Sequence, residues 1–329
     1  MNRRDTLRVL LGACTIGSTP DVSAQPSRKV LRIGILSPFY AAQKFDPYRN
    51  EFLLGLREAG LTEGEDFTFE ERHAEGKNER LAGFAVELVR QNVDVIVADT
   101  TISAIAAQKA TSTIPIVFVS VSDPIAAGFT DSLARPSRNM TGMTNFAGEL
   151  TPKRLELLKL AVPNLSRIAF LVNPSNPYYG SLVPRIRSAA DAVAMQLAVV
   201  DWDGRDDINT VFSKATKEGV QAVLISGDTS YFVPRKQISD AAIKHRIASI
   251  APYRPYAEAG GLMAYGISIL AQARHFAGYL AKIVKGAKPA DVPIEQPTKF
   301  EMVLNLKTAK LIGLTIPQEL LLRADDVIE

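Results

Sequence analysis

Val93-Asp94-Val95-Ile96-Val97-Ala98 runs into the polar Asp99-Thr100-Thr101, then the alanine-rich Ile102 to Thr111, then Ile114-Pro115-Ile116-Val117-Phe118-Val119. Two short apolar runs, rich in Val and Ile and nearly unbroken, flank a segment of helical length. Strands that are covered on both faces read this way, because neither face can be polar. A helix between two such strands is a crossover connecting parallel neighbours. These residues therefore predict an α/β protein whose parallel sheet carries helices on both sides.

Working outward, the same rhythm holds. Leu31 to Ser37 is an apolar strand. Pro47 to Gly60 has helical spacing, with Phe52, Leu53 and Leu56 on one side and Gly60 as its stop. Phe67 to Arg72 alternates like a half-exposed strand, and Asn78 to Gln91 carries an apolar stripe of Leu81, Phe84, Ala85, Leu88 and Val89. After Asn145 the pattern restarts. Helices are predicted over Pro152–Ala161, Tyr179–Met195, Ile208–Lys217 and Arg235–His245. Strands are predicted over Arg167–Val172, Leu197–Trp202, Ala222–Ser226 and Ile247–Ala251. The tail adds one helix, Ala271 to Gly286, one strand, Phe300 to Leu304, and short helical pieces to Leu322. Two such leftovers complete two existing units better than they start a third.

The expected fold is thus two Rossmann-like parallel-sheet lobes joined by a hinge of several strands. Lobe 1 comprises residues 31–145 plus about 264–296, and lobe 2 residues 146–263 plus about 297–329. The hinge crossings fall near Thr141–Asn145, Leu262–Tyr265 and Pro297.

The chain of 329 residues is 47% hydrophobic and 22% charged, long enough for two cores. A net charge of +3 is too small to point to nucleic acid. Its N-terminus reads as an export leader. Arg3, Arg4 and Arg8 precede the small and apolar Val9 to Gly17, and Val22-Ser23-Ala24 fits a cleavage site that starts the mature chain at Gln25. The Arg3-Arg4 pair matches the twin-arginine route. The expected location is periplasmic. The alternatives are lipid anchoring through Cys14, the only cysteine, and an uncleaved cytoplasmic N-terminus.

No catalytic motif stands out. There is no G-x-x-x-x-G-K-[ST], G-x-G-x-x-G, G-x-S-x-G or H-E-x-x-H pattern. His73, His245 and His275 lack ligand spacing. No catalytic residue, metal or cofactor is therefore expected. Polar residues gather instead where apolar strands end: Ser37 and Phe39, Asp99 to Thr101, Ser120 to Asp123, Asn173 to Asn176, and Ser226 to Asp228. In open parallel sheets ligands bind beyond the carboxyl ends of the strands. The same residue types also cap helices and make turns, so each position has a purely structural alternative.

Longer stretches carry a more specific likeness. They include Gly55-Leu56-Arg57-Glu58-Ala59-Gly60, Ala110-Thr111-Ser112-Thr113-Ile114-Pro115, Ser132-Leu133-Ala134-Arg135-Pro136, Lys153-Arg154-Leu155-Glu156-Leu157-Leu158, Glu258-Ala259-Gly260-Gly261-Leu262-Met263 and Gln296-Pro297-Thr298-Lys299-Phe300-Glu301. In these the chain resembles, from about Leu31 onward, the ABC-transporter substrate-binding proteins of the type I periplasmic binding fold, the group that includes tryptophan-binding lipoproteins. The resemblance implies a clamshell that closes on a small-molecule solute, an amino acid or aromatic-like compound. Its partners would be a membrane permease and a separate ATPase. It also implies a pocket formed by Ser37, Phe39, Thr101, Ser122, Asp123, Asn145, Asn173, Asn176, Asp228 and Tyr253. One departure is Asp99-Thr100-Thr101-Ile102, where relatives carry a Gly-Thr-Pro-type turn. Asp99 would repel a ligand carboxylate there unless it caps the helix and faces away. The rival readings are an α/β enzyme with an unrecognised site and a ligand-sensing module of the lactose-repressor type.

Overall fold

The computed structural model describes residues 29–39, 41, 46–145, 148–176 and 178–329. The expected leader, with Arg3, Arg4, Cys14 and Ala24, lies outside them. The first lobe is a five-stranded sheet in the order β2-β1-β3-β4-β5, built from Leu31–Ser37 (β1), Phe67–His73 (β2), Val95–Ala98 (β3), Ile116–Val121 (β4) and Met140–Thr144 (β5). All its pairings are parallel.

The unbroken apolar runs work as expected, because alternate residues serve opposite faces. Val95 and Val97 join Ile33 and Val117 in one core, while Ile96 and Ala98 join Leu36 and Phe118 in the other. Helices Leu81–Arg90 (α2) and Thr101–Ala110 (α3) cover the second core through Ala85, Leu88, Ala104 and Ala107. The first is covered by Pro47–Glu58 (α1) and by a helix from far along the chain, Ile269–Val284 (α9). The chain numbers its intervening helices Thr151–Ala161 (α4), Tyr179–Ala192 (α5), Ile208–Lys217 (α6), Arg235–Lys244 (α7) and Arg254–Glu258 (α8). At α1 and α9 the backbones come close: a Cβ on Gly55 would lie 2.7 Å from both the Ala277 Cβ and the Arg274 carbonyl oxygen.

Helix starts follow the local chemistry. The Asp46 carboxylate accepts the Tyr48 and Arg49 amides, at 2.8 and 3.0 Å, with Pro47 at the first position of α1. Asp207 caps α6 in the same way.

The second lobe is a seven-stranded sheet in the order β12-β11-β10-β9-β8-β6-β7. Its strands are Arg167–Val172 (β6), Gln196–Asp201 (β7), Ala222–Ile225 (β8), Ala248–Ala251 (β9), Met263–Ile267 (β10), Phe300–Asn305 (β11) and Asp326–Ile328 (β12). Only the β10–β11 pairing is antiparallel. Helices α4 and α5 cover one face, and α6 and α7 the other. Leu306–Ile312 (α10) and Gln318–Leu321 (α11) close the chain.

The tail divides between the lobes, its helix to the first and its strand to the second. The expected crossing near Leu262–Tyr265 needs correction. Those residues lie within or beside β10, which pairs with β9 and β11 in the second sheet. The chain crosses at Ser268 instead; β5 and β10 are short, buried and glycine-containing, and so lack a clear strand signature in the sequence. At the crossings the segments hold one another. Thr144 N donates to Glu295 O at 2.9 Å, Glu295 N to Gly142 O at 3.0 Å and Ser268 N to Lys299 O at 3.3 Å. Gln272 Nε2 donates to the Val119 and Thr144 carbonyls at 3.1 and 3.3 Å.

Candidate functional site

The carboxyl ends of both sheets face one crevice, and the lobes touch across it. On the first lobe, β4 ends at Ser122 and Asp123. Asp123 Oδ1 accepts the Ile125 and Ala126 amides at 3.1 and 2.9 Å, capping the following turn. Thr101 Oγ1 accepts the Ser122 amide at 3.4 Å and ties the β3 and β4 loops together. Asn145 Nδ2 reaches Ser122 Oγ at 3.4 Å and, across the crevice, Tyr253 Oη at 3.3 Å. A second bridge is aromatic: the Phe39 and Phe232 ring centroids are 5.2 Å apart, and the Arg235 guanidinium lies 4.6 Å from the Phe232 centroid.

On the second lobe the loops after β6 and β8 are cross-linked. Asn173 Nδ2 donates to Ser230 Oγ at 3.0 Å, Ser230 Oγ to Asp228 Oδ1 at 2.6 Å, and Asn176 Nδ2 to Asp228 Oδ2 at 2.6 Å. The Asn173 and Asn176 side-chain oxygens accept the Ser175 and Tyr178 amides at 2.9 and 2.8 Å. These asparagines thus build turns and position Asp228 at once.

Between the lobes lies a small, partly open cavity of about 80 Å³. Of the expected residues, Ser122, Asp123, Asn176 and Asp228 line it. The others do not. Phe39, Asn145 and Tyr253 are held in lobe-to-lobe contacts, Asn173 stands behind Ser230, and Ser37 and Thr101 lie among the lobe 1 loops.

Asp99 does neither of the things expected of it. The cap of α3 is Thr100, whose Oγ1 accepts the Ser103 amide at 3.4 Å. The Asp99 carboxyl turns instead toward Ser37 and His73. Burial pushes it up to about 6, Ser37 and then His73 offset part of that rise, and nearby Glu71 adds to it. Glu71 moves the other way, down to about 2, chiefly through its hydrogen bond from His73 Nε2 at 2.8 Å.

Three further side chains, Tyr178, Ser226 and Arg154, complete the cavity wall. The Tyr178 and Ser226 hydroxyls are buried there without a hydrogen-bond partner among the described residues. Tyr178 is pushed up to about 12, by burial first and by Asp123 second. Arg154, 3% exposed, donates Nε to the Tyr265 carbonyl at 2.7 Å, and burial pulls it down to about 10. A signal for Arg154 did exist. It follows Thr151 by three residues and precedes Leu158 and Ala161 by four and seven, so it stands on the buried stripe of α4. Behind this polar wall Phe170, Leu182, Ile186 and Leu224 form an apolar end.

The cavity can hold a small amphiphile: opposite charges and free hydroxyls at one part, an apolar surface at another. Among the described residues no group of His, Cys, Asp and Glu is placed to hold a metal, and no helix is long and apolar enough to cross a membrane.

Comparison with known proteins agrees with the fold. Residues 39–328 match the family described as ABC transporter substrate binding protein. The chain belongs to this family. It is 25% identical over 289 residues to a tyrosine-binding protein of Clostridioides difficile, covering 88% of this chain and 82% of the relative. A solved Vibrio cholerae conserved domain protein superposes with a TM-score of 0.83 at 25% identity, covering 91% of this chain and all of the other. A Streptococcus pneumoniae ABC domain solved with L-Trp gives the same TM-score at 23% identity, again over 91% of this chain and all of that one. The architecture is that of the type I periplasmic binding proteins, and the chain is a substrate-binding protein of an ABC transporter.

Proposed function

We propose that this member of the substrate-binding family is the exported solute receptor of an ABC importer, and that it closes its lobes on an amino acid or aromatic-like solute. Residues 31–145 with 269–296 form one jaw, and residues 146–267 with 297–329 form the other. The observation that carries the reading is the cavity between the lobes. Both lobes wall it, it bears charges of both signs, and it leaves the Tyr178 and Ser226 hydroxyls without partners among the described residues. Buried hydroxyls normally find a partner, so a wall that leaves two open is built for a guest. A solute touching both walls favours the closed arrangement through its extra contacts there, which is how such a receptor signals occupancy. Asp123 would face a ligand ammonium and the apolar end would hold its side chain. The relatives that bind tyrosine and tryptophan support this ligand class.

Thermal-shift and calorimetric titration of the purified protein against the common amino acids, aryl acids and short peptides tests the reading. A saturable stabilisation by one class is expected. Absence of any shift across the panel would remove it. Export is tested by mass spectrometry of the protein recovered from cells. A start at Gln25, or a lipidated Cys14, supports it, and an intact Met1 does not.

A further inference from the structure

Two polar atoms from opposite lobes reach the cavity wall without a partner among the described residues. Asp123 comes from the first lobe, in the loop after β4. Its Oδ1 is committed to the Ile125 and Ala126 amides, whereas its Oδ2 takes no hydrogen bond from the described residues. Tyr178 comes from the second lobe, at the start of α5. Its hydroxyl is buried and makes no hydrogen bond there. The two are near enough to act on each other. After burial, Asp123 is the second cause that pushes the Tyr178 hydroxyl up to about 12, so the hydroxyl keeps its proton. The other carboxylates of the wall are engaged. Asp228 accepts from Asn176 through Oδ2 and from Ser230 through Oδ1, and Glu149 faces Arg185 at 3.6 Å.

When a solute fills the cavity, water leaves the open Asp123 oxygen, which is costly unless a charged donor replaces it. An anion placed there would be repelled. A tyrosine hydroxyl accepts a hydrogen bond as well as donating one, and a primary ammonium carries a positive charge and three N–H donors. One such group satisfies both atoms. We infer that Tyr178 and Asp123 hold the ammonium of the solute together, one from each lobe, so that the pocket selects free amines over their N-acylated or deaminated analogues. This rests on the proposed role of the cleft and adds Tyr178 to it as a specificity-determining residue. A single nitrogen bound to both jaws also ties them together, since both contacts exist only in the closed arrangement. The competing role is packing, with the Tyr178 ring filling space beside the cavity and its hydroxyl unused.

Calorimetry on the purified protein separates these roles. The probes are L-tyrosine and L-tryptophan, their N-acetyl derivatives, and the same two acids with the amine replaced by hydrogen. The wild type is expected to bind whichever amino acid it accepts at least about 100-fold more tightly than the acetylated or deaminated form, because charge and donors are lost together. Tyr178→Phe keeps the ring and removes one acceptor. It should weaken binding of the amino acid by about 10-fold or more, the scale of one hydrogen bond to a charged group, and leave the deaminated acid within about 2-fold of wild type. Equal weakening of both, or no change in either, leaves the packing role and overturns the inference. So does a wild type that binds the amino acid and its deaminated form alike, with the cleft reading still standing. A wild type that binds none of the probes removes the amino-acid reading and the inference with it. Should Tyr178→Phe fail to fold by circular dichroism, Tyr178→Leu is read by the ratio of the two affinities alone. A ratio reduced by about 10-fold supports the inference, and an intact ratio overturns it.

Discussion

At the scale of single residues, most polar positions of this crevice do two jobs. Asp123 caps a turn with one carboxylate oxygen and lines the cavity. Asp123→Asn keeps an oxygen for the turn but loses the charge. We expect its melting temperature without ligand to stay within about 2 °C of wild type, since only a cap of about 1 kcal/mol is at stake and it is kept. Its ligand-induced shift should disappear. A full shift in this variant would take Asp123 out of the site.

Asp99 gives a pH prediction with a definite sign. Its carboxyl is raised from 3.8 to about 6, so the folded chain holds this proton more tightly than the unfolded chain. Its contribution to stability is fully present below about pH 4 and is lost as pH rises through about 6. Glu71, lowered from 4.5 to about 2, acts oppositely and loses its contribution as pH falls from about 4.5 toward 2. Asp99→Asn should therefore be more stable than wild type at pH 8, by on the order of 2 kcal/mol, and equal to it near pH 4. Melting curves at pH 4, 6 and 8 check this; an offset independent of pH would sink it.

Among the elements, β5 shows why a strand can hide from sequence. Met140-Thr141-Gly142-Met143-Thr144 is short, and its pairing with β4 shifts register between Phe118 and Val121. Gly142 has φ of 152°, and a Cβ there would overlap the Phe118 carbonyl oxygen. That backbone suits glycine and the close approach admits nothing larger. Gly142→Ala should lower the melting temperature by about 5–10 °C or more, the range for backbone overlap in a buried strand. A variant that melts with wild type would show that β4 and β5 can separate freely. Helix α4 shows the opposite case. Its apolar residues predict the helix from sequence, but the same periodicity places Arg154 on the covered side, a conflict that a reading by residue class alone passes over.

For the whole molecule, the proposed closure would rest on contacts that pass directly between the lobes. The Asn145–Tyr253 hydrogen bond and the Phe39–Phe232 stack are among them. Tyr253→Phe removes the hydroxyl and keeps the ring. It should raise the ligand dissociation rate by about 3- to 10-fold, the worth of one such hydrogen bond, with the association rate little changed. Stopped-flow measurement reads both rates. An unaltered dissociation rate would mean that the bridge plays no part in holding the jaws.

The alternation of Val- and Ile-rich runs with helical spacing was enough to establish the parallel sheets, their helix layers and the restart after Asn145. These follow from local periodicity, and a strand buried on both faces has almost no choice of composition. The polar strand ends were legible too, because a parallel sheet sends every such end to the same side. Which of them meet at the cavity was not legible. Asp123 and Asp228 lie far apart in sequence and share the cavity only through the packing of two lobes, whereas Ser37 and Thr101 share their chemistry and end up outside the wall. The return of α9 to the first lobe, the place of β10 in the second sheet and the arrival of Arg154 beside the pocket all depend on long-range packing. Such contacts are decided by how whole faces fit, and no window of neighbouring residues contains that information.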